Sequence, residues 1–373
     1  MVAAARTAAV SFRLTQPFQI EAVEREACRE RPDDVLIRPR VTGVCASDLK
    51  LYAGIRDRRA LSKKLPLALL HEGVAEVIES GPAARLKCGT RVVVVPNVPC
   101  YIAHPARYPS RSEACLACRP GGAGENYCLE NLYLSSNTDG MAQTLFRHPA
   151  SLCIPVPAGV PDRTAVLTEP LTTIIAGLEK APITPTARCL ILGNGPIGQL
   201  VAAGLIVFHG VPRDAISMTG HDWEHRPAAR ALVGRAIDAD DGAALGELAG
   251  RIDFAFECVG SDANQETLEQ AVECLRAGGT AVLFGPSEKS VLFNTREVIG
   301  KGLTFLGANR SFVPHFRRVM ERMVEPAVQA LLANVLSPDT LWVRTADDLN
   351  HALYHAWTKR DAGKTVVGWA GLE

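Results

Sequence analysis

The segment "CLILGNGPIGQLVAAGLIVF", residues 189–208, constrains the fold more than any other part of the chain. An apolar run comes first, then a turn with the G-x-G-x-x-G spacing of Gly193, Gly195 and Gly198, and then a helix-like stretch. Pro196 and Ile197 complete the turn. This order is typical of a dinucleotide-binding turn, where a pyrophosphate meets the free N–H groups of a helix N-terminus. The alternative is a plain tight turn without a ligand.

Strand-like and helix-like segments continue to alternate after this turn. "DAISMTGHD", "RIDFAFECVG" and "GGTAVLFGP" are short apolar runs with helical segments between them. The alternation predicts an α/β fold with a doubly wound parallel sheet of the Rossmann type. Residues 1 to about 155 instead contain short strands broken by glycine and proline, which predicts a β-rich domain. A chain of 373 residues has room for both.

Composition narrows the class of partner. The 40 basic and 40 acidic residues cancel, which argues against a broad surface for nucleic acid or anionic membrane. We read no signal peptide in the N-terminal residues, and the longest apolar stretch is too short to span a bilayer. We therefore expect a cytoplasmic protein that acts on small molecules. Five of the 11 cysteines fall between Cys88 and Cys128, a grouping that favours metal or catalysis over disulfides.

The end of the second strand of the predicted sheet indicates the cofactor. An NAD site usually has an acidic residue there, which accepts hydrogen bonds from the ribose. Here the strand "AISMT" ends in Gly220, followed by His221 and Arg226. Glycine makes room for a 2′-phosphate and basic groups pair with it, so we expect NADPH rather than NADH. A shift of two residues would put Asp222 at the strand end, and Arg226 could equally belong to a solvated helix face.

Three residue types that bind zinc occur at turns or strand ends among apolar residues. They are Cys45 in "TGVCASD", His71 and Glu72 in "ALLHEGVAE", and Glu169 in "VLTEPLT". A thiolate, an imidazole and a carboxylate can hold a catalytic zinc and leave a fourth position for water or substrate. The alternative is a core cysteine, a hydrogen-bonded histidine and a glutamate at a helix start.

A second cysteine set predicts a structural zinc. Cys115 and Cys118 form a C-x-x-C pair, and Cys100 and Cys128 flank it. Four thiolates make a closed site with no room for substrate. The competing interpretations are a disulfide, a redox C-x-x-C pair without metal, or Cys88 in place of Cys100.

These motifs, in this order, resemble the zinc-dependent medium-chain dehydrogenase/reductase superfamily over nearly the whole chain. The resemblance implies a GroES-like β-rich catalytic domain at 1–157 and 308–373 and a Rossmann domain at 158–307. It implies Cys45, His71 and Glu169 as ligands of a catalytic zinc, with Glu72 as a neighbouring or alternate ligand. It also implies that the Ser47 hydroxyl lies beside the reacting oxygen. We expect a homodimer or homotetramer.

Stretches outside the generic motifs resemble the ribulose-5-phosphate reductases, among them "YAGIRDRRALSKKLPLALLHEGVAEV" and "FNTREVIGKGLTFLGANRS". This resemblance implies NADPH-dependent reduction of ribulose 5-phosphate to ribitol 5-phosphate. Arg58 and Arg310 are the preferred candidates to bind the phosphate, and Thr172 or Thr173 could pack against the nicotinamide. The alternatives are a dehydrogenase of an unphosphorylated polyol, cyclitol or aminosugar, or a binding protein that kept the fold and lost turnover.

Overall fold

The computed structural model describes residues 6–55, 61–260, 263–287, 289–292, 294–359 and 363–370. The strands of these residues are numbered in chain order. They are β1 (Thr7–Gln16), β2 (Gln19–Ala27), β3 (Asp34–Gly43), β4 (Leu67–Ala68), β5 (Glu72–Ser80), β6 (Arg91–Val94), β7 (Asn97–Val98), β8 (Leu132–Tyr133), β9 (Phe146–Pro149), β10 (Cys153–Pro155), β11 (Cys189–Leu192), β12 (Ile216–Gly220), β13 (Arg235–Asp238), β14 (Ile252–Glu257), β15 (Leu275–Leu283), β16 (Thr304–Gly307), β17 (Leu336–Val343) and β18 (Lys364–Trp369).

The α-helices are numbered in the same way. They are α1 (Ala46–Tyr52), α2 (Cys100–Ala103), α3 (Asp162–Ala165), α4 (Thr168–Leu178), α5 (Pro196–His209), α6 (Pro227–Arg230), α7 (Gly242–Gly246), α8 (Asn264–Cys274), α9 (Thr295–Lys301), α10 (Val313–Met323), α11 (Pro326–Ala333) and α12 (Ala346–Lys359).

The chain divides into two compact units. The first contains residues 1–169, 311–329 and 336–373, and the second contains residues 170–310 and 330–335. In the described part of the second unit, six parallel strands form a sheet in the order β13-β12-β11-β14-β15-β16. This order is that of a Rossmann fold, with β11 as its first strand. The predicted fold class is confirmed.

The sheets of the first unit are mostly antiparallel, although β17 and β18 pair in parallel. In its described residues the largest sheet runs β10-β6-β5-β3-β18-β17, and β9 also pairs with β3. Its core is aliphatic with a few aromatic side chains, as the alternation of apolar residues predicts. Strands β3 and β5 pair in a register that sets Gly43 opposite Glu72. The turn after β3 therefore meets the start of β5, and these are the two places where the sequence carries candidate zinc ligands.

Candidate active site

The first group of candidate ligands lies where β3 ends and β5 begins. Cys45 is the residue before α1, His71 is the residue before β5, and Glu72 is the first residue of β5; His71 is 5% exposed and Glu72 is 1% exposed. The thiol of Cys45, one ring nitrogen of His71 and one carboxylate oxygen of Glu72 all lie within 4.8 Å of one another. A soft thiolate, an imidazole and a carboxylate are a donor set suited to zinc. The residues present therefore fit a catalytic zinc.

Asp48 orients two of these groups. Its fully buried carboxylate accepts hydrogen bonds from the backbone N–H of Cys45 and of Leu70, at 3.1 Å each, and from the Ser135 hydroxyl. The same carboxylate lies 3.4 Å from Nδ1 of His71. Burial opposes the charged form of His71, but Asp48 outweighs it and holds the pKa of that imidazole well above its ordinary value. A carboxylate on Nδ1 leaves Nε2 for a metal.

Lys364 is a charged neighbour of the ligand group that the sequence analysis did not find. Its ammonium, at the start of β18, lies 2.6 Å from both carboxylate oxygens of Glu72, and its residue is 5% exposed. Burial lowers the pKa of Lys364, but the Glu72 carboxylate and its neighbours raise it by a larger amount. The net pKa lies above its ordinary value, so the lysine stays charged. A lysine at the start of a strand otherwise as apolar as "TVVGW" is the sequence signal that could have revealed it.

Glu169, the predicted third ligand, lies beside this group but is not one of its three members. It is 4% exposed in the first turn of α4 and accepts a hydrogen bond from the Tyr133 hydroxyl at 3.0 Å. Burial raises the pKa of Glu169 to about 7, with a lowering effect from His71 and a raising effect from Glu72. The fold thus supplies two carboxylates near one thiol and one imidazole, and Glu169 as ligand stays a prediction. Ser47, half-buried on α1, stays a predicted catalytic hydroxyl.

The second cysteine set forms a compact group. The sulfur atoms of Cys100, Cys115, Cys118 and Cys128 all lie within 4.8 Å of one another, and all four are free thiols in the structure. Cys100 belongs to the group although a long segment separates it from Cys115. Cys88, the alternative, is exposed and is not a member. Four thiols at one point fit a structural zinc.

The glycine-rich turn joins β11 to α5 as predicted. Gly195 precedes the helix, Pro196 opens it, and Ile197 and Gly198 follow in its first turn. A Cβ atom at residue 198 would lie 1.9 Å from the carbonyl oxygen of Gly193, so only glycine fits this close approach. The helix of 14 residues leaves its first N–H groups at the turn, which suits a pyrophosphate.

Strand β12 ends at Gly220, as predicted, and Asp222 lies beyond the strand in a left-handed conformation. His221 is exposed and Arg226 is half-buried. The space that glycine leaves is not empty, because a Cβ atom at residue 220 would lie 2.1 Å from Cγ of Asn194. Sequence analysis did not find Asn194, although it stands inside the glycine motif.

The structure gives less information about the candidate residues for the nicotinamide and the phosphate. Thr172 is buried and Thr173 half-buried on α4, and Arg310 is half-buried after β16. Arg58 lies outside the described residues. The roles assigned to these side chains stay predictions.

Comparison with known proteins identifies the family. A family model described as "Alcohol dehydrogenase GroES-like domain" matches residues 31–158, and one described as "Zinc-binding dehydrogenase" matches residues 196–325. The chain belongs to the zinc-dependent medium-chain dehydrogenase/reductase superfamily. As a member of this superfamily it is an oxidoreductase of the alcohol and polyol dehydrogenase type, which confirms the predicted enzyme class. In the described residues, no helix is both long and apolar enough to cross a membrane.

Individual members of the superfamily are similar over nearly the full length. Ribulose-5-phosphate reductase 1 of Staphylococcus aureus is 30% identical over 343 residues, which cover 90% of this chain and 92% of the relative. Ribulose-5-phosphate reductase of Bacillus spizizenii is 28% identical, with coverage of 96% and 98%. The crystal structure of S. aureus TarJ in complex with NADPH is 25% identical, covers 98% of this chain and 100% of that chain, and has a TM-score of 0.78. The predicted cofactors, zinc and NADPH, agree with these descriptions.

Proposed function

We propose that this dehydrogenase uses NADPH and a catalytic zinc to reduce a ketose phosphate, ribulose 5-phosphate, to ribitol 5-phosphate. The observation that carries the proposal is the convergence of Cys45, His71 and Glu72 within 4.8 Å. Two relatives that match at least nine-tenths of the chain are named ribulose-5-phosphate reductases, which supports the substrate. The neutral end of β12 at Gly220 and the NADPH held by S. aureus TarJ support the cofactor.

The residues of the site divide the work of a carbonyl reduction. Cys45, His71 and either Glu72 or Glu169 would hold the zinc, and Asp48 keeps the imidazole oriented towards it. When bound, zinc supplies Lewis acidity to a carbonyl oxygen and NADPH supplies a hydride to the carbonyl carbon. Ser47 is proposed to deliver the proton that the reduced oxygen takes up, which completes the alcohol.

Comparison of ribulose 5-phosphate with ribulose tests the substrate directly. We expect kcat/KM for NADPH oxidation to be higher by at least about a hundredfold with the phosphorylated ketose, because a contact between a guanidinium group and a phosphate is charge-assisted. Arg310→Gln should lower kcat/KM for the phosphate substrate alone, whereas Arg251→Gln, on the exposed surface, should leave it unchanged. Equal rates with both ketoses would contradict the phosphate assignment and favour an unphosphorylated polyol.

A further inference from the structure

Gly220 is required by a neighbouring side chain and not by its own backbone. The residue ends β12, where the extended backbone is open to any amino acid. A Cβ atom there would nevertheless lie 2.1 Å from Cγ, 2.4 Å from Nδ2 and 2.5 Å from Oδ1 of Asn194. The carboxamide of Asn194 therefore occupies the space into which a side chain at the end of β12 would extend.

Asn194 is held in this position from two directions. Its side-chain Nδ2 donates a hydrogen bond to the backbone carbonyl oxygen of His221 at 2.7 Å, and its backbone carbonyl oxygen accepts one from the Gln199 side-chain amide at 3.1 Å. Asn194 is 7% exposed and Gln199 is 1% exposed. Rotation of the buried Asn194 side chain would break the hydrogen bond from Nδ2 to His221, and a buried amide that loses its partner is costly.

The hydrogen bond to His221 also positions the segment that follows β12. The carbonyl oxygen of Gly220 accepts a hydrogen bond from the backbone N–H of Ala239 at 3.0 Å. Residues 220 and 221 are thus fixed on one side by the glycine-rich turn and on the other by the end of β13. The chain then leads through a left-handed residue, Asp222, to Arg226.

The charge of the surroundings makes the neutrality of Asn194 important. His221, Asp238 and Asp240 form an exposed group in which one ring nitrogen and two carboxylate oxygens lie within 4.8 Å of one another. Two carboxylates already stand at the end of β13, so a third at the end of β12 would strongly oppose a 2′-phosphate. An amide fills the same volume without adding negative charge.

We propose that Asn194 is a specificity-determining residue for the cofactor. Its carboxamide excludes an acidic side chain from the end of β12, makes glycine obligatory at position 220, and fixes the segment from His221 to Arg226 in the arrangement that accepts the 2′-phosphate of NADPH. This inference rests on the NADPH dependence given under the proposed function. It also predicts that the two positions are coupled, so that an acidic residue at 220 is tolerated only when Asn194 is shortened.

A double-mutant cycle on the full-length enzyme tests this coupling. The variants are Asn194→Ala, Gly220→Asp and the pair together, with Gly220→Ala as a smaller probe of the same contact. Dissociation constants for NADPH, NADH, adenosine 2′,5′-bisphosphate and ADP are measured by titration without substrate, and melting temperatures are measured in parallel. Gly246→Asp is the matched control, because it adds a carboxylate to the same unit where nothing lies within 4 Å.

The expected pattern is specific. Gly220→Asp and Gly220→Ala lower the melting temperature, and Gly220→Asp weakens binding of both dinucleotides. Asn194→Ala weakens NADPH binding roughly tenfold and changes NADH binding little, because the segment after β12 loses the hydrogen bond that positions it. The double variant regains the lost stability and prefers NADH. Gly246→Asp leaves the ratio of the NADPH and NADH dissociation constants unchanged.

Two results would overturn the proposal. One is a Gly220→Asp single variant that is fully stable and binds NADH tightly with Asn194 in place. The other is an Asn194→Ala variant in which the ratio of the NADPH and NADH dissociation constants stays within about twofold of the wild-type ratio. A wild-type enzyme that prefers NADH would instead contradict the proposed cofactor, and failure to turn over ribulose 5-phosphate would contradict only the proposed substrate.

Discussion

The two groups of metal-binding side chains in the first unit are built in opposite ways. The four-cysteine group takes all its ligands from residues 100–128 and from one chemical type. The group at Cys45, His71 and Glu72 takes three different donors from the ends of two paired strands. Its neighbours are charged and buried, with Asp48 beside the imidazole and Lys364 beside the carboxylate.

This difference agrees with the two roles that we propose, a structural zinc at the four-cysteine group and a catalytic zinc at the mixed group. Thiols lose their protons when a metal binds, so a site of four thiols needs few neighbouring charged residues to prepare its ligands. A mixed set must hold an imidazole and a carboxylate in fixed orientations inside a dry environment, and here Asp48 lies against the His71 ring and Lys364 pairs with Glu72.

Removal of the thiol from the mixed site should have the largest effect on activity. We expect Cys45→Ala to lose one zinc per chain and at least about a hundredfold in kcat, because metal-site changes of this kind remove the group that polarises the carbonyl. Metal analysis by mass spectrometry and steady-state kinetics measure both effects. NADPH should still bind, since the glycine-rich turn belongs to the other unit. Retention of full activity would remove the catalytic-metal interpretation.

The corresponding change in the four-cysteine group should affect stability instead. We expect Cys118→Ser to lose the other zinc and to lower the free energy of unfolding by on the order of 5 kcal/mol, since metal binding there contributes folding energy. The kcat of the protein that remains folded should stay within a few-fold of wild type. A matched Cys88→Ser variant, at an exposed cysteine outside both groups, should change neither quantity. A large fall in kcat with unchanged stability would reverse the assignment of the two sites.

The contrast between the two sites also explains what the sequence could predict. The glycine-rich turn and the C-x-x-C pair depend on residues close together in sequence, and the parallel sheet follows from the alternation of strand-like and helix-like segments, so the sequence pattern indicates all three. Cys45 and His71 could be proposed because each residue lies at a turn or a strand end. The predicted cofactor preference at Gly220 also came from one local position.

The partners of the mixed site could not be predicted in the same way. Lys364 reaches Glu72 across 292 positions in sequence, and only the pairing of β18 with β3 brings them together. The choice between Glu72 and Glu169 depends on distances of a few ångströms that spacing does not contain. Asn194 was missed because the motif draws attention to its glycines, whereas the contact with Gly220 is set by the register of β11 and β12.

Removal of the buried ammonium tests whether Lys364 competes with zinc for Glu72. Lys364→Met leaves the carboxylate buried and unpaired, so we expect the zinc-free protein to lose about 3 kcal/mol of unfolding free energy. Added zinc should stabilise the variant more than it stabilises wild type, because the metal then neutralises Glu72. Chemical denaturation with chelator and with zinc measures both. Lys364→Arg keeps the charge and is the control. An equal gain in unfolding free energy from zinc in the Lys364→Met variant and in wild type would contradict competition between Lys364 and zinc for Glu72.

The smallest expected effect is a pH dependence of stability at Glu169 in the mixed site. Burial raises the pKa of Glu169 to about 7 in the folded protein, against an ordinary value of 4.5. A raised pKa means that the carboxyl group favours folding below pH 4.5 and that this contribution disappears as the pH rises through 7. Glu169→Gln mimics the protonated group, so the zinc-free variant should match wild type near pH 5 and exceed its stability by on the order of 2 kcal/mol at pH 8. The difference between the two denaturation curves, followed from pH 5 to pH 8, is the measurement. A difference that does not change over this range would mean that Glu169 is already ionised beside His71 at pH 5, which would contradict the raised pKa.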